Sequence, residues 1–484
     1  MQKSIATDRI TGYERSSLMN TQPLAFKKIH FIGICGTAMG AVAAMLKDIG
    51  YEVSGSDQNV YPPMSTFLEG KGIQLMFGFK PENLAHKPDL VVVGNAISRG
   101  NIELEQVLDD RLYYLSLPET LKTFFLRKSH NLVVTGTHGK TTTTSLLTWI
   151  FEATQQKPSY LIGGIPLNLQ QGCKRQEGKH WILEGDEYDT AFFDKRSKFL
   201  HYLPELVIIN NVEFDHADIY ANLDAIKLTF RRLVDIVPRN GMIVLNADDP
   251  NCIEVTRHAH AQIMEVGFSE NAAARITDVR TSPEGSTFRF MDHEFRIPLY
   301  GKHNVGNAAM AIAAAHFYQI PLKAIAEALL GFKGIKRRME VKAEFKGVTI
   351  LDDFGHHPTA LRETISAIRS RYPNRRLWAL FEPRSNTTRR AVFQKELPEA
   401  LALADGVFIS QVARLEQIPE KDRLNPEKVS ADINAAGVPS YYEADASTIV
   451  QKLCPQVKSG DVIAVFTNGG FDGIHEKLIQ ALKA

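Results

Sequence analysis

The chain has 484 residues, 44% hydrophobic and 23% charged, a balance that excludes a collagen-like, disordered or disulfide-framework protein. Its 56 Lys and Arg against 55 Asp and Glu leave a net charge of +1, too neutral for nucleic acid or an anionic membrane to be the main partner. No apolar run approaches the roughly 18 residues of a membrane span, and the length suggests about three domains.

Cys35, Cys173, Cys252 and Cys454 are scattered with no CxxC pair, which points to a reducing cytoplasm. Residues 1–25 are polar and mixed in charge, without the apolar stretch of a signal peptide, and read as a tail. From residue 26 on, apolar strand-like runs alternate with helical stretches, the signature of parallel sheets covered by helices. A strand at 29–32 leads into the loop Gly33-Ile34-Cys35-Gly36 and a helix through 41–47. Cys35 stands where a dinucleotide fingerprint has its second glycine, so NAD is disfavoured, while a diphosphate at the helix N-terminus still suits the loop. Asp57, past the next strand, is placed to accept from a ribose or base. A structural tight turn is the alternative. The polar break 127–130 closes a first domain, 26–128.

The second unit opens with a strand at 132–135. Thr135-Gly136-Thr137-His138-Gly139-Lys140-Thr141-Thr142-Thr143 follows at once and runs into a helix. Small residues let backbone N–H groups turn around phosphate oxygens, and the helix N-terminus adds positive potential. An exposed Lys140 can reach the terminal phosphates, and the Thr141 hydroxyl can ligate Mg²⁺. Val134 replaces the first glycine of the strict P-loop pattern, so the loop is a variant. Two acidic clusters follow strand ends, Glu184-Gly185-Asp186-Glu187-Tyr188-Asp189 and Glu213-Phe214-Asp215-His216-Ala217-Asp218. Beside a nucleotide loop such carboxylates suggest Mg²⁺; solvated acidic loops are the alternative. The alternating stretch 267–300 predicts a small antiparallel insert. Asn304 and Asn307, three apart at a helix start, can read an adenine edge or serve as caps. The Gly- and cation-rich stretch 331–338 ends the second domain at 336. In the third, 337–484, Asp352–Pro358 and Glu382-Pro383-Arg384-Ser385-Asn386 each follow a strand.

In this order the loop at 136–143, Glu184, Asn211–His216, His303–Asn307, Arg337-Arg338-Met339-Glu340 and Asp352–Pro358 resemble the Mur ligase family of ATP-dependent amide-forming enzymes, over about 29–483. The resemblance implies an α/β fold of three domains: a Rossmann-like UDP-binding domain, a central P-loop ATPase domain with a mainly parallel sheet, and a Rossmann-like C-terminal domain that closes over the site. It implies an acyl phosphate made from ATP, then attack by an amine. Two members start from UDP-N-acetylmuramate. One adds L-alanine. The other adds the tripeptide L-alanyl-γ-D-glutamyl-meso-diaminopimelate in peptidoglycan recycling. Asn59–Thr66, Phe193–Phe199, Glu382–Asn386 and Asn468–His475 resemble the tripeptide-adding member, with the L-alanine ligase as the alternative.

Residue by residue, the resemblance assigns ATP to Gly136, Thr137, His138, Gly139, Lys140, Thr141 and Thr142, adenine to Asn304 and Asn307, and the nucleotide ribose to Asp353. Thr141, Glu184 and His216 would serve Mg²⁺, and Arg338 would approach the γ-phosphate on closure. Gly33, Gly36 and Asp57 would hold the UDP part and His138 the muramoyl side. Arg384, Ser385 and Asn386 are candidates for the distal groups of the tripeptide, since arginine suits bidentate carboxylate recognition; alternatively Arg384 pairs with Glu382. Lys227 lies near the carbamylated lysine of some members and is assigned no such role.

Overall fold

The computed structural model describes residues 26–413 and 415–483; the tail expected at 1–25 lies outside them. The first sheet has five parallel strands, in the spatial order Gln74–Phe77, Glu52–Asp57, Lys28–Ile32, Leu90–Val93, Tyr114–Ser116. Its inner strand Leu90–Val93 is buried at every position, as expected of a parallel strand covered on both faces by helices.

The central sheet runs Ala274–Arg275, Gln262–Gly267, Met242–Asn246, Leu206–Ile209, His130–Thr135, His180–Glu184, Ser159–Leu161, Cys173–Lys174. Only the last, edge strand is antiparallel to its neighbour. The helices Lys140–Ala153 and Lys302–Phe317 pack on this sheet and on each other. Six alanines in Lys302–Phe317 keep its surface low, so the helix lies buried along most of its length. The antiparallel insert is Thr277–Ser282, Gly285–Phe290 and His293–Ile297. Phe288, Phe290, Phe295 and Ile297 point into the core and the intervening positions face out, the period of two that marks a half-buried strand.

The third sheet runs Glu340–Phe345, Val348–Asp353, Val462–Phe466, Leu377–Phe381, Gly406–Ser410, Ser440–Glu443, parallel except for the hairpin at its first edge. Three α/β units with mostly parallel sheets therefore bear out the expected fold class.

The units are joined unequally. One apolar cluster runs from the first sheet into the central one through Phe125, Leu126, Val133 and Trp181, with the Phe125 and Trp181 rings 5.7 Å apart. The third sheet keeps its own clusters on its two faces and meets the centre through polar side chains. Interfaces of that kind between domains allow relative motion. Among the described residues no helix is long and apolar enough to cross a membrane.

Candidate active site

The strand His130–Thr135 ends under a loop that only glycine can build at two points. Gly136 and Gly139 have φ of 127° and 79°, where L side chains are strained. A Cβ on Gly139 would lie 2.5 Å from Asn307 Oδ1 and 2.9 Å from Asn210 Nδ2. The loop is thus closed against two asparagines. It is also tied to the second acidic cluster: the amide of His138 donates to Asn211 Oδ1 at 2.7 Å and that of Glu213 to Thr137 Oγ1 at 2.8 Å. The helix Lys140–Ala153 starts at Gly139 and aims its N-terminal amides into the loop, an arrangement suited to phosphate.

Lys140 is not exposed, contrary to expectation. Its side chain is only 14% accessible because the ammonium folds back, donating to Glu187 Oε2 at 2.8 Å and Oε1 at 3.0 Å, to Gly136 O at 2.7 Å and to Thr137 O at 3.2 Å. Burial opposes its charge, but Glu187 and Asp186 more than offset this and hold its pKa above the ordinary lysine value. The Thr141 hydroxyl donates to Glu184 Oε1 at 2.8 Å, and the amide of Gly163 to Glu184 Oε2 at 2.6 Å. Burial pushes the Glu184 carboxyl up. His216 has φ of 55°, and its Nε2 lies 2.9 Å from Glu187 Oε1. The possible ligand atoms clustered with His216 belong to Asp186 and Glu187, all within 4.8 Å of one another. Glu184 is not part of that group and is met instead by the Thr141 hydroxyl and the Gly163 amide. Hydroxyl and carboxylate oxygens at a phosphate loop, with burial penalising the Glu184 anion, are a donor set that fits a hard dication such as Mg²⁺.

A cavity of about 880 Å³ lies between the central and third sheets, lined among others by Gly139, Asn304, Asn307, Arg338 and Asp353. Asn307 donates to Asn304 Oδ1 at 3.3 Å, and Asn304 to Tyr300 O at 2.8 Å. Arg338 reaches across, Nη2 to Thr141 Oγ1 at 3.5 Å. Neighbouring Arg337 turns away to Thr467 O and Gly469 O at 2.6 and 2.9 Å. Asp353 is buried and braces its own loop, accepting the amides of Met339 and Gly355 at 2.8 Å each.

The third unit docks on the central one through His357. Its Nε2 donates to Phe214 O at 3.3 Å and its Nδ1 accepts the amide of Thr359 at 3.2 Å. Its ring lies 4.3 Å from that of His138, and both face Glu213, at 3.8 and 3.5 Å. Burial, then the neighbouring His138, depresses the His357 pKa to about 3, with Asp215 and Glu213 opposing. The unfolded value is about 6.5. Between these values the unfolded chain binds a proton that the folded chain refuses, so stability rises with pH at up to about 1.4 kcal/mol per unit. The contribution is complete above about 6.5 and is lost as pH falls toward 3. His357→Asn, which keeps a helix cap, is expected to flatten this acid-side slope. Melting temperatures of parent and variant at about pH 5 and about pH 7.5 check it; equal slopes would contradict it.

In the first unit Gly33 has φ of 86°. Asp57 is already engaged, taking the amide of Cys35 on Oδ2 and that of Asn59 on Oδ1, at 2.9 Å each. It therefore stiffens the loop that holds Gly33 and Gly36. Arg384 pairs with Glu382 at 3.3 Å and lies against Gly469, with its side chain 39% accessible. Ser385 bonds Thr388 at 2.8 Å. Asn386 crosses to the centre, donating to Asp218 at 2.8 Å and Tyr188 Oη at 2.9 Å, and Thr387 donates to Asp215 at 2.6 Å. Lys227 pairs with Glu254 at 2.7 Å. Sequence reasoning did not single out Glu187, Glu213, His357 or Thr387. Glu187 stood in a recognised acidic cluster, but nothing local distinguished it there.

Comparison with known proteins bears on all three units. Residues 28–129 match the model of the Mur ligase family catalytic domain, 134–315 the Mur ligase middle domain and 337–469 the Mur ligase glutamate ligase domain. The chain is 41% identical over 469 residues, 94% of its length and 99% of the relative's, to a Haemophilus influenzae protein named UDP-N-acetylmuramate–L-alanyl-γ-D-glutamyl-meso-2,6-diaminoheptandioate ligase. It is 31% identical over 465 residues, 94% of its length and 98% of the relative's, to a UDP-N-acetylmuramate–L-alanine ligase of Geotalea uraniireducens. The crystal structure of a murein peptide ligase from Psychrobacter arcticus superposes with a TM-score of 0.69 at 36% identity, covering 94% of this chain and 98% of that one.

Proposed function

Because the chain belongs to the Mur ligase family of ATP-dependent amide-forming ligases, we propose that it joins UDP-N-acetylmuramate to the tripeptide L-alanyl-γ-D-glutamyl-meso-diaminopimelate. The observation that carries this reading is the margin between 41% identity to the tripeptide ligase and 31% to the L-alanine ligase over nearly the same span. Both nucleotide substrates are those of the cytoplasm, and the product would return to peptidoglycan synthesis.

The muramoyl carboxylate attacks the γ-phosphate of ATP, giving an acyl phosphate and ADP. The peptide amine attacks the acyl carbon, and phosphate leaves. Lys140 and the amides of Gly136–Thr142 bind the phosphates; Asn304 and Asn307 hold adenine. Thr141, Glu184 and His216 would hold Mg²⁺, which when bound offsets charge between the crowded phosphate and carboxylate oxygens. Arg338, reaching from the third unit, sets positive charge against the negative charge on the transferring γ-phosphate. Docking of His357, Asn386 and Thr387 on the centre keeps water from the activated carbonyl. Gly33, Gly36 and Asp57 serve the UDP end, Asp57 by bracing the loop. His138 serves the muramoyl side.

Arg384 is the candidate for a distal carboxylate of the peptide. It meets the peptide by exchanging Glu382 for it. Arg384→Ala is expected to raise the tripeptide KM by about 10–100-fold, the worth of a charge-assisted bond, with the KM values for ATP and UDP-N-acetylmuramate nearly unchanged. A tripeptide KM within twofold of the parent would show that Arg384 only braces its loop. The function itself is tested by phosphate release with UDP-N-acetylmuramate and either acceptor. Tripeptide-dependent release far above that with L-alanine is expected; the reverse preference would make the chain an L-alanine ligase.

A further inference from the structure

Glu187 sits where the side chains of Lys140 and His216 meet. Its carboxylate is 2% accessible. Oε1 and Oε2 take the Lys140 ammonium at 3.0 and 2.8 Å, and Oε1 also faces His216 Nε2 at 2.9 Å. Its carbonyl accepts the hydroxyls of Ser197 and Tyr220 at 2.6 Å each, so the residue is fixed from behind. With Gly136 O and Thr137 O as further partners, the three N–H groups of Lys140 are all spent inside the protein. A nucleotide must draw the lysine out of this arrangement.

We propose that Glu187 is a positioning residue that exchanges partners. Before nucleotide binds it holds Lys140 back in the loop. Once phosphate takes Lys140, the carboxylate keeps His216 alone and accepts its Nε2–H, which fixes the imidazole in one tautomer and orientation. Carboxylates in this relation to a ligating histidine fix its tautomer and ring orientation. The proposal rests on the ligase reading of the site. It has a two-sided consequence. A buried carboxylate beside the phosphates opposes nucleotide in the absence of metal, and favours metal once nucleotide is bound.

The test uses the full chain with Glu187→Gln, which keeps the shape and removes the charge. ADP binding is measured by titration calorimetry without divalent metal, and Mn²⁺ binding to the ADP complex by electron paramagnetic resonance. Metal-free ADP should bind about tenfold more tightly to the variant. Mn²⁺ should bind about 10–100-fold more weakly. His216→Ala should weaken Mn²⁺ on its own, and adding Glu187→Gln to it should cost clearly less than Glu187→Gln costs the parent, since both act on one contact. The proposal is overturned if both affinities stay within twofold of the parent, if both fall together as in a general loosening, or if the two substitutions add in full. A parent that binds no ADP would overturn the ligase reading and this proposal with it.

Discussion

Lys140→Ala is expected to cut amide formation by at least about 10²–10³-fold, the usual loss when a preorganised charge is removed from the reacting phosphate, and to destabilise the protein as well. The second effect follows from the buried pair. Glu187 is 2% accessible and takes two hydrogen bonds from Lys140. Truncating the lysine leaves that carboxylate with His216 alone, and breaking a buried ion pair from one side costs about 3–5 kcal/mol. Lys140→Ala with Glu187→Gln should recover much of the lost melting temperature and none of the activity. Calorimetry and a phosphate-release assay on the two variants separate the two effects. Near-normal turnover in Lys140→Ala would remove the lysine from the phosphate site.

Glu184→Gln is expected to raise the Mg²⁺ concentration for half-maximal activity by about 10–100-fold. Its carboxylate is the acceptor of the Thr141 hydroxyl at 2.8 Å and of the Gly163 amide at 2.6 Å, and burial already works against its charge. A dication is the partner that restores the balance, so the neutral amide loses most of its affinity for one. The amide oxygen can still serve Gly163, which keeps the loop in place. His216→Ala should move the Mg²⁺ titration in the same direction. If both variants titrate as the parent does, neither residue contacts the metal.

The phosphate loop was legible because each of its residue types answers a local demand. Gly136 and Gly139 supply positive φ, Thr141 a hydroxyl at a helix start, Lys140 a long cation. The alternation at Phe288, Phe290, Phe295 and Ile297 likewise announced the antiparallel insert. The burial of Lys140 was not legible, because it depends on Glu187, which a tertiary turn brings to the loop. Neither was the docking of the third unit. His357, Glu213 and His138 come from three separate elements, and no period or spacing links them. Asp57 and Asp353 read as free acceptors, yet both bind backbone amides of their own loops, a common use of aspartate that sequence does not separate from ligand binding.

The most direct measurement of the central claim follows oxygen from the muramoyl carboxylate. UDP-N-acetylmuramate labelled with ¹⁸O in that carboxylate is incubated with ATP, Mg²⁺ and the tripeptide, and phosphate and product are read by mass spectrometry. An acyl phosphate requires one labelled oxygen in the released phosphate and one left in the amide of UDP-N-acetylmuramoyl-tripeptide. Unlabelled phosphate, or label transfer that occurs with L-alanine and not with the tripeptide, would contradict it.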